Sequence, residues 1–556
     1  MNAAAEGAPT PPGGLPPLRQ LRAAVQALVA QGKTDEACEF CLAAFESVLL
    51  KTHELELLVA KLRRERLGRH TERIDPGQMT LLFESLLAQS TGAIVFDPDA
   101  EAHEDAVLDG EIAAAAQQHG SAAGDRPPRP KRATDPAWQT QGIERCVHHV
   151  EVPLTERTCP TCQREMDHIG IDVTRRLEYV PGHFVEHEYQ LEKFACGRCK
   201  DRITMAPAPA QVLNRSAADP SLLAHVVVSK FVDHTPLHRL HRIYARSGAE
   251  IPVSTLADWI AAVGDLVEPV VERLAARVLT AHVVRTDATG LKVLDPQNPD
   301  HIALGTMWAY VGDDRDVVFR YTPTGEGATG PWTFLAGRTG YIQADAALVF
   351  DRLFNGQVAH AVEVGCMAHA RRRLVALQDM DYRVAYPLKL MARLYRIEHL
   401  ADARHLTPAD RAVLRQDRAT PVLAKLQRWA VMTRADEPPS TDLVKAAGYL
   451  VRHWDALCRY LQDGRVDIDN NNVERQLRDV ALGRRNYLFA GSHDAARRAA
   501  GLYSLTRTCA QYAIPPLRYF TDVLTKLANG WTVTRLEELL PHRWQPLLSL
   551  SERQTD

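Results

Sequence analysis

Apolar positions change their spacing several times along the chain, and each change predicts a different kind of element. From Leu18 to about Arg73 the pattern is helical and free of proline, and Val48, Leu55 and Leu62 recur every seven residues with Leu58 between the last two. A short coiled coil and an ordinary amphipathic helix both accommodate this run, because fewer than three clean heptads are present. The stretch 97–142 loses the period. It turns acidic, then Ala/Gln-rich, then Pro/Arg-rich (Arg126-Pro-Pro-Arg-Pro-Lys-Arg132), which is linker composition. Short strand-like runs, Leu177 to Val180 and Phe184 to Leu191, follow within 143–207. In 208–280 Pro220 opens one helix and Pro236 another, Gly248 stops it, and Ser254 can cap a third. Such a trio suits a helix-turn-helix and equally a helical connector.

After Ala281 the period shortens to that of strands: His282 to Asp287, Thr306 to Val311, Val317 to Tyr321, Gly340 to Asp345 and Val358 to Val362. Three strands followed by strand, helix and strand predict a mixed-sheet α/β unit over 281–366. Residues 367–465 return to helical spacing and read as an insertion, 466–530 hold the helix that completes the sheet domain, and 531–556 read as a tail. The fold class is therefore multidomain α+β, with a helical arm over 1–96.

Length and composition agree: 556 residues exceed one hydrophobic core, and 46% hydrophobic with 24% charged residues is ordinary globular usage. No apolar run reaches the roughly 18 residues of a membrane span. The start lacks a signal peptide's basic and apolar segments, so the expectation is a cytoplasmic protein with no membrane partner. A net charge of −3 does not announce a nucleic-acid binder; DNA contacts must come from local patches. Leu62 to Arg73 carries five arginines, whereas Asp97 to Glu111 carries seven acids and no Lys or Arg.

Ten cysteines are too few for a disulfide scaffold in so long a chain. Cys159-Pro-Thr-Cys162 and Cys196-Gly-Arg-Cys199 place two thiolate pairs on tight turns, which suits a closed tetrahedral zinc site with a structural role. A redox-active or merely buried pair is the alternative. Cys146, His148 and His149 lie nearby but outside the first-choice ligand set.

Three carboxylates stand out by position. Asp287 and Asp345 end apolar strand-like runs, and Glu474 follows Asp469-Asn-Asn-Asn in the first turn of a helix whose buried face is marked by Val473, Leu477 and Val480 or Ala481. Two strand-borne aspartates and a helix-borne glutamate can bind two magnesium or manganese ions for phosphodiester chemistry. Spacing alone leaves solvated surface charge as a competing reading. Arg371, Arg372, Arg373, Arg475, Arg478, Arg484 and Arg485, with Arg497 and Arg498, flank these positions and suit phosphate contacts; ion pairs with Asp479 or Asp494 are the alternative. Cys366 and His369 form a Cys-x-x-His pair for which a structural role is the simpler reading.

Asp287-Ala-Thr-Gly-Leu-Lys-Val-Leu294, Gln343-Ala-Asp345, Gly365-Cys-Met-Ala-His-Ala-Arg-Arg-Arg373, Asp469-Asn-Asn-Asn-Val-Glu-Arg475 and Gly483-Arg-Arg-Asn-Tyr-Leu-Phe-Ala-Gly-Ser492 resemble, in that order, the TnpC-type transposases of the insertion-sequence sixty-six family. Leu67-Gly-Arg-His-Thr-Glu-Arg73 and both cysteine pairs resemble that family's helical arm and zinc module. Where the family usually has Asp-Glu-Thr-Pro, this chain has Asp287-Ala288-Thr289-Gly290.

The resemblance implies an RNase H-like core interrupted by a helical insertion, with Asp287, Asp345 and Glu474 as its metal-binding acidic triad. It further implies DNA terminal repeats and target DNA as substrates, assembly of two or more copies on paired ends, and small accessory proteins of the same element. A structure-selective nuclease, and a silent zinc-containing DNA-binding regulator, are the competing functions.

Overall fold

A computed structural model describes residues 98–118, 182–195, 203–213 and, but for a few single positions, 218–547, with scattered positions elsewhere. All four paired cysteines, and all but scattered positions of the arm over 18–73, lie outside the described residues.

The centre is a five-stranded mixed sheet of β3 (Val283–Leu294), β4 (Ile302–Gly312), β5 (Asp316–Thr322), β6 (Tyr341–Gln343) and β7 (Val362–Val364); a small antiparallel pair, β1 (Lys193–Ala195) and β2 (Ile203–Met205), precedes it. Spatial order is β5-β4-β3-β6-β7, with β3, β4 and β5 an antiparallel meander and β6 and β7 parallel to β3. Two boundaries differ from the periodicity. β3 does not stop at Asp287 but runs on through the long hairpin to Leu294, and the last strand lies at 362–364, because 358–361 is spent returning from a 3₁₀ turn over Leu348–Leu353. The expected strand Phe184 to Leu191 is not a strand; Phe184 instead meets Tyr244 edge to face at 5.1 Å.

Three helices lead into the sheet: α2 (Pro220–Phe231), α3 (Leu237–Arg246) and α4 (Val253–Thr280). The first is capped as its sequence dictates, by Asp219 accepting from the Ser221 amide and by Pro220 at the first turn. In α4 the N-cap is Pro252, not Ser254, and the helix is buried from Leu256 to Val278, so it is a packing helix of the sheet domain. After the insertion come α10 (Asn471–Tyr487), α11 (His493–Gln511) and α12 (Pro516–Ala528); α10 lies on β3 and β4. Helix α11 covers the exposed edge of β5. The Ser504 hydroxyl accepts from the Phe319 amide at 2.8 Å, and Thr508 accepts from the Val317 amide at 3.0 Å, satisfying edge donors that would otherwise be buried without partners.

The insertion has its own apolar core, built from α5 (Met367–Val375), α6 (Ala385–Ala403), α7 (Pro408–Leu414), α8 (Thr420–Asp436) and α9 (Asp442–Arg452). Its polar keystone is fully buried Arg415, which donates to both oxygens of Glu398 at 2.8 and 2.7 Å and to the carbonyls of Tyr460, Asp463 and Val466. The acidic stretch expected to be linker is in its first part helix α1, Pro98–Gln118, docked on α6 through Arg393, which pairs with Glu101, Glu104 and Asp105. Charge complementarity, invisible to a composition count, orders it. The expected tail also folds: Leu536, Leu539 and Leu540 enter the main core, and Trp544 donates to Asp522 at 2.8 Å.

Candidate active site

The sheet's register sets the first two acids side by side. Its last parallel pair is Arg285 with Gln343; Asp287 lies two residues further along β3, and Asp345 two residues beyond Gln343, in the loop that leaves β6. Asp345 is turned by its own loop: its carboxylate accepts from the Ala347 amide at 3.1 Å, Ala346 has φ 60°, and Tyr449 of the insertion donates to the Asp345 carbonyl at 3.2 Å. A non-glycine residue in the left-handed region costs about 1–3 kcal/mol and persists only where its surroundings enforce it.

Glu474 is delivered by an anchor one turn earlier. Asn470 flanks α10, as the asparagine run suggests, but its side chain makes no cap. Fully buried, it donates through Nδ2 to the Thr286 carbonyl at 2.9 Å, fixing the start of α10 to the residue before Asp287. Fully buried Arg285 adds a bond to Asp467 at 2.8 Å, and Gln343 donates to the Asp467 carbonyl at 2.8 Å. Val473, Leu477 and Val480 are buried beneath the helix, while Ala481 is only half-buried.

Asp287 feels the charges of the other two acids. Burial pushes the Asp287 carboxyl up to about 7, the charges of Asp345 and Glu474 add to the rise, and the Ala288 amide and Arg372 oppose it. Arg372 donates to Glu474 Oε2, whereas Glu474 Oε1 is buried with no hydrogen-bond partner. Converging carboxylates, one of them with an unpartnered buried oxygen, are a donor set that fits hard divalent cations.

The remaining candidates divide. Arg372 engages a carboxylate of the site in place of the phosphate expected for it, and Arg484 ties α10 to β3 through the Thr289 hydroxyl and the Gly290 carbonyl. Arg371 is half-buried, and Arg373 stacks over the Tyr449 ring at 4.3 Å. Arg475, Arg478 and Arg485 are exposed on α10. Arg497 pairs with Asp494, and Arg498 with Asp265, whereas Asp479 pairs with Arg507. Cys366 is buried beside the site; the Asn470 amide donates to its sulfur at 3.2 Å, and burial pushes its thiol up to about 12. Burial also lowers His369, against the pull of Glu474.

One surface was not singled out in advance. His238, Arg239, Arg242 and Arg246 are exposed along one side of α3, opposite buried Leu240 and Tyr244. The signal was present as basic residues at helical spacing, hidden by a net charge near zero.

Residues 215–498 match the family model for the transposase IS66 family. The chain belongs to the IS66 transposase family. Residues 156–200, which contain all four paired cysteines, match the zinc-finger binding domain of transposase IS66, and 504–542 match the IS66 C-terminal element. The chain is 32% identical over 518 residues to the uncharacterized protein y4hP of Sinorhizobium fredii, covering 88% of each chain. It is 30% identical over 443 residues to the uncharacterized protein y4qI of the same organism, covering 76% of this chain and 80% of that one. Membership brings a transposase-type function, structural zinc and DNA binding. Among the described residues no helix is long and apolar enough to cross a membrane.

Proposed function

We propose that this IS66-family protein is a metal-dependent DNA transposase that cuts a strand at the end of its element and joins the freed 3′ hydroxyl to target DNA, with Asp287, Asp345 and Glu474 as its acidic triad. The observation that carries the reading is a buried Asp287 whose carboxyl is pushed up to about 7, chiefly by burial and further by the charges of Asp345 and Glu474 beside it. The strand order β5-β4-β3-β6-β7, with an antiparallel meander and two parallel strands, supports an RNase H-like core.

Magnesium or manganese ions held by the triad would polarise the scissile phosphodiester and lower the pKa of the attacking hydroxyl. The chain's own part is placement. Asn470 and Arg285 fix α10 against β3, Arg372 holds one oxygen of Glu474, and the Ala346 turn aims Asp345. No serine or tyrosine nucleophile is required, because in-line displacement passes through no protein-DNA bond. Exposed Arg475, Arg478 and Arg485 on α10, and Arg239, Arg242 and Arg246 on α3, suit phosphate contacts that hold the duplex. Terminal repeats, target DNA, a second copy of the chain and small accessory proteins are the partners of this reading.

The test is incubation of the full chain with labelled element-end DNA and magnesium or manganese. Wild type is expected to give nicked and joined products, and D287N, D345N and E474Q to give neither while still binding DNA. Cutting without joining would indicate a nuclease; binding without cutting by wild type, accessory proteins supplied, would indicate a regulator.

A further inference from the structure

Cys366, His369 and Glu474 each offer a ligand atom, and these atoms lie within 4.8 Å of one another. The grouping follows from the fold. Cys366 stands at the N-cap of α5, His369 falls one turn later on the same side, and Asn470 brings Glu474 across. Arg372 engages Glu474 Oε2 and approaches His369 Nε2 at 3.4 Å, so the other two atoms, His369 Nδ1 and Glu474 Oε1, face each other at 3.7 Å. Both are buried and neither has a hydrogen-bond partner. Two unsatisfied polar atoms beside a buried sulfur mark a place where something is bound.

We propose that Cys366, His369 and Glu474 form a second cation site, for a thiophilic divalent ion of the zinc class, which adjoins the acidic triad and shares Glu474 with it. Sulfur and imidazole favour zinc-like ions over magnesium, for which carboxylate and water are the suitable donors. Zinc bonds of about 2.0–2.3 Å set tetrahedral ligand atoms roughly 3.5 Å apart, so small side-chain rotations close the observed spacing. The Cys366 thiol releases its proton to solvent on binding, and the Asn470 amide, already donating to the sulfur, remains as the supporting bond. Three protein ligands leave the fourth position open. The site rests on its own geometry. Its consequence rests on Glu474 serving the triad: zinc draws Glu474 away and suppresses magnesium-dependent cleavage.

The experiment titrates the full chain, its four-cysteine module already loaded with zinc, with cobalt(II). Wild type is expected to take up one cobalt more than C366S, with a thiolate-to-cobalt charge-transfer band that C366S lacks; H369N is expected to keep the band and weaken the binding. Serine keeps an acceptor for the Asn470 amide, and circular dichroism checks that both variants fold. Equal cobalt uptake in folded wild type and C366S, or no such band, overturns the site while leaving the triad untouched. In a cleavage assay with magnesium, the zinc concentration that halves wild-type activity is expected to rise at least about tenfold in C366S. Cobalt bound through Cys366 without inhibition by zinc would overturn the sharing of Glu474 alone.

Discussion

Replacing Asn470 tests whether the site is positioned as described. The residue is fully buried, and its amide donates to the Thr286 carbonyl at 2.9 Å. Asn470→Ala removes that donor and leaves the carbonyl in a dry environment, at a cost of about 1–3 kcal/mol. For a domain of this size a loss near 2 kcal/mol lowers Tm by about 4–8 °C. Cleavage falls further than stability, because a displacement of about 1 Å at Glu474 costs roughly 100-fold in rate. Asn470→Asp keeps the shape but turns an acceptor toward an acceptor and adds a negative charge beside Asp287, whose carboxyl is already raised to about 7. It is therefore the more damaging of the two. Thermal unfolding at neutral pH, paired with magnesium-dependent cleavage assayed well below Tm, measures both effects. A cleavage rate for N470A within about twofold of wild type, or N470D proving milder than N470A, would refute the anchoring argument.

Burial beside an apolar cavity of about 560 Å³ pushes Lys230 down to about 8. Its folded pKa then lies below the unfolded value near 10.5, the unfolded chain binds more protons between those limits, and stability rises with pH from 8 to about 10.5. Lys230→Met is accordingly expected to stabilise the protein at pH 7, by at most about 3 kcal/mol, and to flatten that rise in urea titrations; an unchanged slope would contradict it. Arg415→Met leaves Glu398 with Arg411 alone and strips the donor from the Tyr460, Asp463 and Val466 carbonyls, so it is expected to destabilise the insertion by about 3–5 kcal/mol, with R415M/E398L recovering only part of the loss by the same measurement. Thr508→Val, equal in shape, strips the partner from the Val317 amide, costs about 1–3 kcal/mol, and is expected to speed hydrogen exchange at that amide.

Periodicity located the elements that bury one face. Val473, Leu477 and Val480 marked α10, and Pro220 and Pro236 marked the openings of α2 and α3, because these signals are local. Distance along the chain hid the rest. Helix α1 owes its order to Arg393, almost 300 positions away, so its acidic composition read as linker. Asn470 looked like a helix cap, but the competing acceptor, the Thr286 carbonyl, lies in a strand 184 positions earlier. The same separation kept Arg372 from being matched to Glu474 and Arg484 to Gly290. The acids themselves were legible as candidates; the β3–β6 register that places Asp287 and Asp345 just past the same strand pair, and the Asn470 bond that sets Glu474's helix, are not encoded in spacing.

The most direct test of the central claim is to map where a divalent ion sits on the chain. Iron(II) bound in place of magnesium, treated with ascorbate and peroxide, cleaves the backbone next to its ligands. The account predicts cuts near Asp287, Asp345 and Glu474 together, suppressed by excess magnesium and lost in Asp345→Asn. Cuts at none of these positions, or cuts that magnesium does not suppress, would contradict a single cation centre built from the three acids.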